Sequence, residues 1–123
     1  MYTYQARIIK VIDGDTFDAE IDLGFKIWKR DRFRLFGYSA PEIHGDEKPY
    51  GLIAKKELEK LLGVRELHKI VTSKPDKYGR WLVDAYDDIG ESLSKVLIDL
   101  KYGVFWDGQS PRPAFDFTNY PKE

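Results

Sequence analysis

Ile12-Asp13-Gly14-Asp15-Thr16-Phe17-Asp18-Ala19-Glu20-Ile21-Asp22-Leu23 is the stretch that decides how this chain folds. Asp-Gly between two strand-like runs is the strongest short-range hairpin signal. The residues after it alternate cleanly: Phe17, Ala19, Ile21 and Leu23 point one way, Thr16, Asp18, Glu20 and Asp22 the other. A period of two belongs to a strand with one buried face. Upstream, Thr3 to Ile12 is rich in Ile, Val, Tyr and Thr and suits the first arm of the hairpin. Downstream, past Gly24, a third strand spans about Ile27 to Phe36. It sets Phe33 and Leu35 on one face and Arg30, Arg32 and Arg34 on the other. Paired with the second strand, those arginines meet Asp18, Glu20 and Asp22, so cross-strand ion pairs are the expected fate of Arg30 and Arg32.

Gly37 to Pro49 is a loop by composition. A helix then runs from about Pro49 to Leu62, with Ile53, Ala54, Leu58, Leu61 and Leu62 as its apolar stripe and Gly63 just past its end. Leu67 to Ser73 and Arg80 to Tyr86 read as a fourth and a fifth strand. Ser92 suits the N-cap of a second helix, whose stripe is Leu93, Val96, Leu97 and Leu100. Gly103 ends it, and Val104-Phe105-Trp106 reads as a short extended piece. Three antiparallel strands, a helix, two strands and a C-terminal helix is the element order of an OB-fold, a five-stranded β-barrel with helices. Closure would remove the exposed sheet edges; an open α+β sheet is the competing arrangement. Residues 1–108 form this domain. Residues 109–123 hold three prolines together with Phe115, Phe117 and Tyr120, aromatics suited to packing the tail on the same domain.

Composition bounds the function. One domain accounts for all 123 residues. With 42% of residues hydrophobic and 33% charged, a packed core is affordable and disorder is not expected. The absence of cysteine excludes disulfides and thiolate metal sites. No apolar run approaches the ~20 residues of a membrane helix, and residues 1–7 carry no secretory signal, so the expectation is a cytoplasmic protein with no membrane partner. Twenty Lys and Arg against 21 Asp and Glu leave a charge of −1, so a global basic field for gripping nucleic acid is absent. Any polyanion site must come from local clustering, as between Lys26 and Arg34, where five basic residues face one acid.

No nucleophile elbow, P-loop or glycine-rich dinucleotide fingerprint is present, and His44 and His68 have no partner at zinc-ligand spacing. His44, in the loop, is the histidine placed to touch a ligand. What remains is carboxylates and arginines at strand ends: Asp15 at the hairpin tip, Arg34 on the third strand, Glu42 eight residues later and Arg80 at the start of the fifth strand. In a barrel these points can converge at one mouth. Phosphodiester hydrolysis asks for such a set. Two arginines clamp the phosphate and stabilise its pentacoordinate charge; a glutamate takes the proton of water; an aspartate holds a hard cation. Taken singly, Asp13 and Asp15 are also good turn residues, and Asp76-Lys77-Tyr78-Gly79-Arg80 reads as an ordinary reverse turn.

Ile12-Asp13-Gly14-Asp15-Thr16, Phe33-Arg34-Leu35, Ala40-Pro41-Glu42 and Asp76-Lys77-Tyr78-Gly79-Arg80, in that order, resemble the staphylococcal nuclease (thermonuclease) family, as does the helix between Ser92 and Gly103. The resemblance covers roughly residues 4–108. It implies an OB-fold, calcium-dependent nuclease acting on DNA, RNA or both and leaving 3′-phosphate ends, with Mg2+ or Mn2+ as other candidate ions. By match, Arg34 and Arg80 are the phosphate-binding catalytic arginines, Glu42 the general base and Asp15 a calcium ligand. Ala40 would give a backbone carbonyl to the metal, and Lys77 and Tyr78 would bind a terminal phosphate. Three departures stand out. Ser39 occupies the place of a second calcium-binding aspartate, and a hydroxyl is a far weaker ligand for a hard cation. Ala40 replaces a threonine. The family's third helix and the two tyrosines before it have no counterpart after Gly103. The same arginines would also serve a non-catalytic OB module that binds nucleic acid or a nucleotide, and the aromatic tail is a possible contact for a protein partner.

Overall fold

The structure, a computed structural model, describes residues 2–122. Five strands close into a barrel: β1 (Thr3–Asp13), β2 (Thr16–Asp22), β3 (Trp28–Leu35), β4 (Leu67–Pro75) and β5 (Trp81–Ala85). Their order around it is β1-β2-β3-β5-β4, with β4 returning to β1. Every pairing is antiparallel except β3 with β5, which is parallel. Closure settles the choice between barrel and open sheet. A single turn of 3-10 helix, Gly45–Glu47, leads into α1 (Lys48–Leu62); α2 is Leu93–Asp99.

The alternation of β2 works as its sequence dictates. Phe17 and Ala19 are fully buried, and Phe17 lies directly opposite Phe33 of β3, the ring centroids 5.8 Å apart. Leu23 falls beyond the strand end and is exposed. On the other face Asp18 opposes Arg32, whose Nε donates to it at 2.8 Å, and Arg30 stands 3.9 Å from the same carboxylate. The core gathers Ile8, Leu35, Ile70 and Val83 from the barrel, Ala54, Leu58 and Leu62 from α1, and Leu93 and Leu97 from α2.

Two helix stripes differ from expectation. The buried positions of α1 are Gly51, Ala54, Leu58 and Leu62; Ile53 and Leu61 of the expected stripe are half-buried, and Gly51 lies outside that stripe. A Cβ at Gly51 would overlap the Glu42 carbonyl; the helix approaches the preceding loop too closely for any side chain there. In α2, Leu100 is half exposed because the helix ends at Asp99. The third buried position is Ser94, whose hydroxyl donates to the Phe36 carbonyl at 2.7 Å. Ser92 does cap the helix, accepting from the Lys95 N–H.

The β1–β2 turn also departs from the Asp-Gly type. Asp13 pairs with Thr16, so the two loop residues are Gly14 and Asp15, and Gly14 is not among the glycines with positive φ. A register shift lies between Val11 and Asp13, beside the turn, and irregularities of that kind raise the local strand twist. Gly14 is therefore required for space: a Cβ on it would come within 2.6 Å of the Ala40 Cβ and 2.8 Å of the Ala54 Cβ. The hairpin tip is wedged between the 37–42 loop and α1. Among the described residues no helix is long and apolar enough to cross a membrane.

Candidate active site

The hairpin tip, the end of β3, the 37–42 loop, the β4–β5 turn and the C-terminal segment meet around a cleft of about 400 Å³. Asp13, Asp15, Arg34, Ala40, Pro41, Glu42, Tyr78, Arg80, Trp106 and Arg112 line it. Asp15, Arg34, Glu42 and Arg80, distant in sequence, thus share one cavity.

Asp15 and Arg34 form its floor. The Asp15 backbone carbonyl accepts from the Leu35 N–H at 2.9 Å, which locks the hairpin tip to the end of β3. Its Oδ2 accepts from Arg34 Nη2 and from the Ala40 N–H, both at 2.9 Å, and its Oδ1 accepts from the Thr16 hydroxyl at 3.0 Å. Arg34 is only 7% exposed and also donates through Nη2 to Ser39 Oγ at 3.2 Å. The Trp106 ring covers it, with the guanidinium carbon 4.4 Å from the ring centroid, a cation–π contact made in a desolvated place. Among the described residues Arg34 Nε, also buried, has no acceptor. An unpaired buried donor costs about 1–3 kcal/mol, a cost that an incoming anion could relieve.

Arg80 is aimed by Asp76. That buried carboxylate accepts from the Tyr78 N–H and the Arg80 N–H at 2.9 Å each and from Arg80 Nε at 2.8 Å, so one side chain shapes the turn and points the guanidinium. The Tyr78 ring flanks it at 5.3 Å. Lys77 does not line the cleft; its ammonium donates to the Ser110 carbonyl at 3.4 Å. Glu42 stands at the rim, its side chain 43% exposed. Its carboxylate oxygens lie 3.5 Å from Arg112 Nε and 3.6 Å from His44 Nε2. His44 is exposed outside the lining. His68 serves the fold, its ring nitrogens 2.6 Å from the Leu62 carbonyl and 2.8 Å from that of Tyr86.

Asp13 is the most perturbed acid of the cleft. Burial first, then the Asp15 carboxylate beside it, pushes its pKa up to about 7. Its Oδ1 accepts from the Asp15 N–H at 3.1 Å, so it is both a turn residue and the partner of a carboxylate pair. Behind the cleft, burial and Asp15 hold the Tyr38 phenol well above its ordinary range.

A model of the family described as staphylococcal nuclease homologue matches residues 32–113. The chain belongs to that family. An uncharacterized protein of Methanocaldococcus jannaschii is 32% identical over 125 aligned positions, covering 81% of this chain and 57% of the relative. The chain therefore spans little more than half the length of the curated relative it matches. The staphylococcal nuclease family is one of nucleases that generally use Ca2+.

The donors present here do not fit such an ion. Among the described residues no three His, Asp or Glu side chains stand close enough to hold a metal. Asp15 is engaged through both oxygens, and Ser39 Oγ accepts a hydrogen bond from Arg34 Nη2. The Ala40 carbonyl accepts from Arg112 Nη2 at 3.1 Å. Asp13, Trp106 and Arg112 are the cleft residues that sequence reasoning passed over. For Arg112 the signal was present: a single arginine fixed between Pro111 and Pro113 in a tail otherwise dominated by aromatics.

Proposed function

We propose that the protein hydrolyses phosphodiester bonds of DNA, RNA or both, and that the shared cleft of Arg34, Glu42 and Arg80 is its active site. The observation that carries this reading is the convergence of two guanidinium groups and one rim carboxylate on one cavity in a chain of the staphylococcal nuclease family. Arg34 comes from below, fixed by Asp15 and Trp106; Arg80 comes from the β4–β5 turn, fixed by Asp76. A phosphate between them meets fixed donors that need no reorganisation as charge grows on its equatorial oxygens. Glu42 is the half-exposed acceptor at the rim and takes the proton of the attacking water. Tyr78 and Trp106 offer ring faces beside the phosphate position, which would suit a flanking base or sugar.

The test is cleavage of a fluorescent single-stranded oligonucleotide, DNA and RNA in turn, with Ca2+, Mg2+, Mn2+ or chelator. Arg34→Ala and Glu42→Gln should each lower the rate by about 10²–10⁴-fold. Intact substrate under every condition, with binding retained, would refute hydrolysis. It would favour the second reading, a non-catalytic nucleic-acid-binding module. The ring faces of Trp106 and Tyr78 beside the arginines of the cleft favour that reading, since stacking platforms next to cations hold a nucleotide without turning it over.

A further inference from the structure

The cleft already contains a cation of its own. Arg112 grips Glu47 with both terminal nitrogens, at 2.7 and 3.2 Å, donates to the Ala40 carbonyl at 3.1 Å and stands 3.5 Å from Glu42. The Ala40 carbonyl is the backbone oxygen that the family resemblance offers to a metal, and here it already accepts from a guanidinium whose positive charge would repel a divalent ion bound to the same oxygen. Nor is Arg112 a loose side chain that would swing aside. Its segment is pinned on α1, where Phe117 stacks on Tyr50 at 3.9 Å, and beyond α2, where the Tyr120 hydroxyl donates to the Tyr102 carbonyl at 2.6 Å. Phe115 lies 4.9 Å from the guanidinium carbon.

Charge points the same way. The lining holds three guanidinium groups, Arg34, Arg80 and Arg112, and three acids, Asp13, Asp15 and Glu42, so even with every acid ionised it carries no net negative charge to draw a cation. A divalent ion would add two uncompensated charges beside Arg112. The carboxylate that would have met it is Ser39 here, buried and bonded to Arg34.

We propose that Arg112 is the resident cation of this cleft, standing where a family member's calcium would sit, and that the site neither holds nor needs a divalent metal. The metal exclusion stands on the donor set alone; independence of cleavage from metal rests also on the nuclease reading above.

The experiment is calorimetric titration of the full chain with Ca2+, and separately with Mn2+, alongside cleavage in chelator. The wild type should show no saturable uptake up to about 10 mM, while Ser39→Asp/Arg112→Met should gain one site in the ~10⁻⁴–10⁻³ M range of weak calcium modules. Arg112→Met keeps an unbranched stem against Phe115 and serves as the second variant should the double change not fold; it too should bind Ca2+ measurably where the wild type does not. Cleavage by the wild type should change less than about twofold in chelator and fall at least tenfold in Arg112→Met, the scale of one lost charge contact. Saturable binding of one Ca2+ by the wild type, a folded double variant that gains none, or cleavage that requires Ca2+ each overturns the proposal. Absence of cleavage in every condition would sink the nuclease reading and leave the ion titration to decide this one.

Discussion

Gly14→Ala sets two effects of opposite sign against each other. Gly14 has no need of a left-handed backbone, so alanine restricts the unfolded chain and should stabilise by about 0.4–1 kcal/mol. Against that, the new methyl would stand 2.6 Å from the Ala40 Cβ and 2.8 Å from the Ala54 Cβ. Ordinary contact between methyl carbons begins near ~3.5 Å, so the hairpin tip must move by roughly 0.9 Å from one neighbour and 0.7 Å from the other. The neighbours are a loop and a helix, neither a flexible side-chain end. A shift of that size away from Ala40 stretches the Ala40 N–H to Asp15 Oδ2 bond from 2.9 Å to about 3.8 Å, beyond any hydrogen bond. Overpacking costs about 1–3 kcal/mol and a lost bond to a carboxylate about 1.5–3. The clash wins, and the net loss should be about 2–4 kcal/mol, read as a shift of the urea midpoint with an unchanged slope. The double variant Gly14→Ala/Ala40→Gly removes the closer contact and should recover at least a third of the loss. A Gly14→Ala protein as stable as the wild type would refute the wedge, and with it the account of how Asp15 is held against the 37–42 loop.

The barrel was legible because its signals are local. Alternation in β2, arginines on one face of β3 and the stripe of each helix are fixed by neighbours two to four residues away. Arg32 meets Asp18 directly across the pair, and Arg30, opposite Glu20, reaches diagonally towards the same carboxylate. The errors arose where backbone meets backbone at long range. Nothing near Gly51 in sequence says that the Glu42 carbonyl occupies the space of its side chain, and nothing near Leu100 says that α2 stops one residue earlier. The site divides in the same way. Asp15, Arg34, Glu42 and Arg80 announce themselves at strand ends within motifs, whereas Trp106 and Arg112 enter from a segment with no periodicity. Aromatic stacking on Tyr50, 67 residues from Phe117 along the chain, pins the segment of Arg112, and the backbone bridge between Ser39 and Val104 places Trp106. Contacts of that kind leave no local pattern to read.

Three further substitutions separate the surface ion pairs of the barrel from the buried charges of the cleft. Arg32→Ala should cost under about 1 kcal/mol, because the side chain is 54% exposed and water screens its pairing with Asp18; a loss above 2 kcal/mol in thermal melts would contradict this. Asp13→Asn should act through pH. With its pKa raised to about 7 the folded chain holds a proton that the unfolded chain, titrating near 4, has released. Stability from this group is thus complete below pH ~4, declines as pH rises and is gone above pH ~7. Asparagine keeps the acceptor for the Asp15 N–H, so it should be near neutral below pH ~4 and stabilising by about 2–4 kcal/mol at pH 8; equal effects at both would refute the coupling. Asp15→Asn decides what kind of carboxylate the floor of the cleft holds. An acid kept for a metal sits among other acids, and without its ion its removal relieves repulsion and stabilises the fold. The Asp15 carboxylate instead neutralises the buried Arg34 at 2.9 Å, and Asn leaves that guanidinium uncompensated under Trp106. Breaking a buried pair from one side costs about 3–5 kcal/mol, against which relief of the Asp13 repulsion returns at most about 1–2. Net destabilisation by about 2–3 kcal/mol in metal-free buffer at pH 7 is therefore the signature of a counter-ion, and a stabilised Asp15→Asn protein would restore the metal ligand in its place.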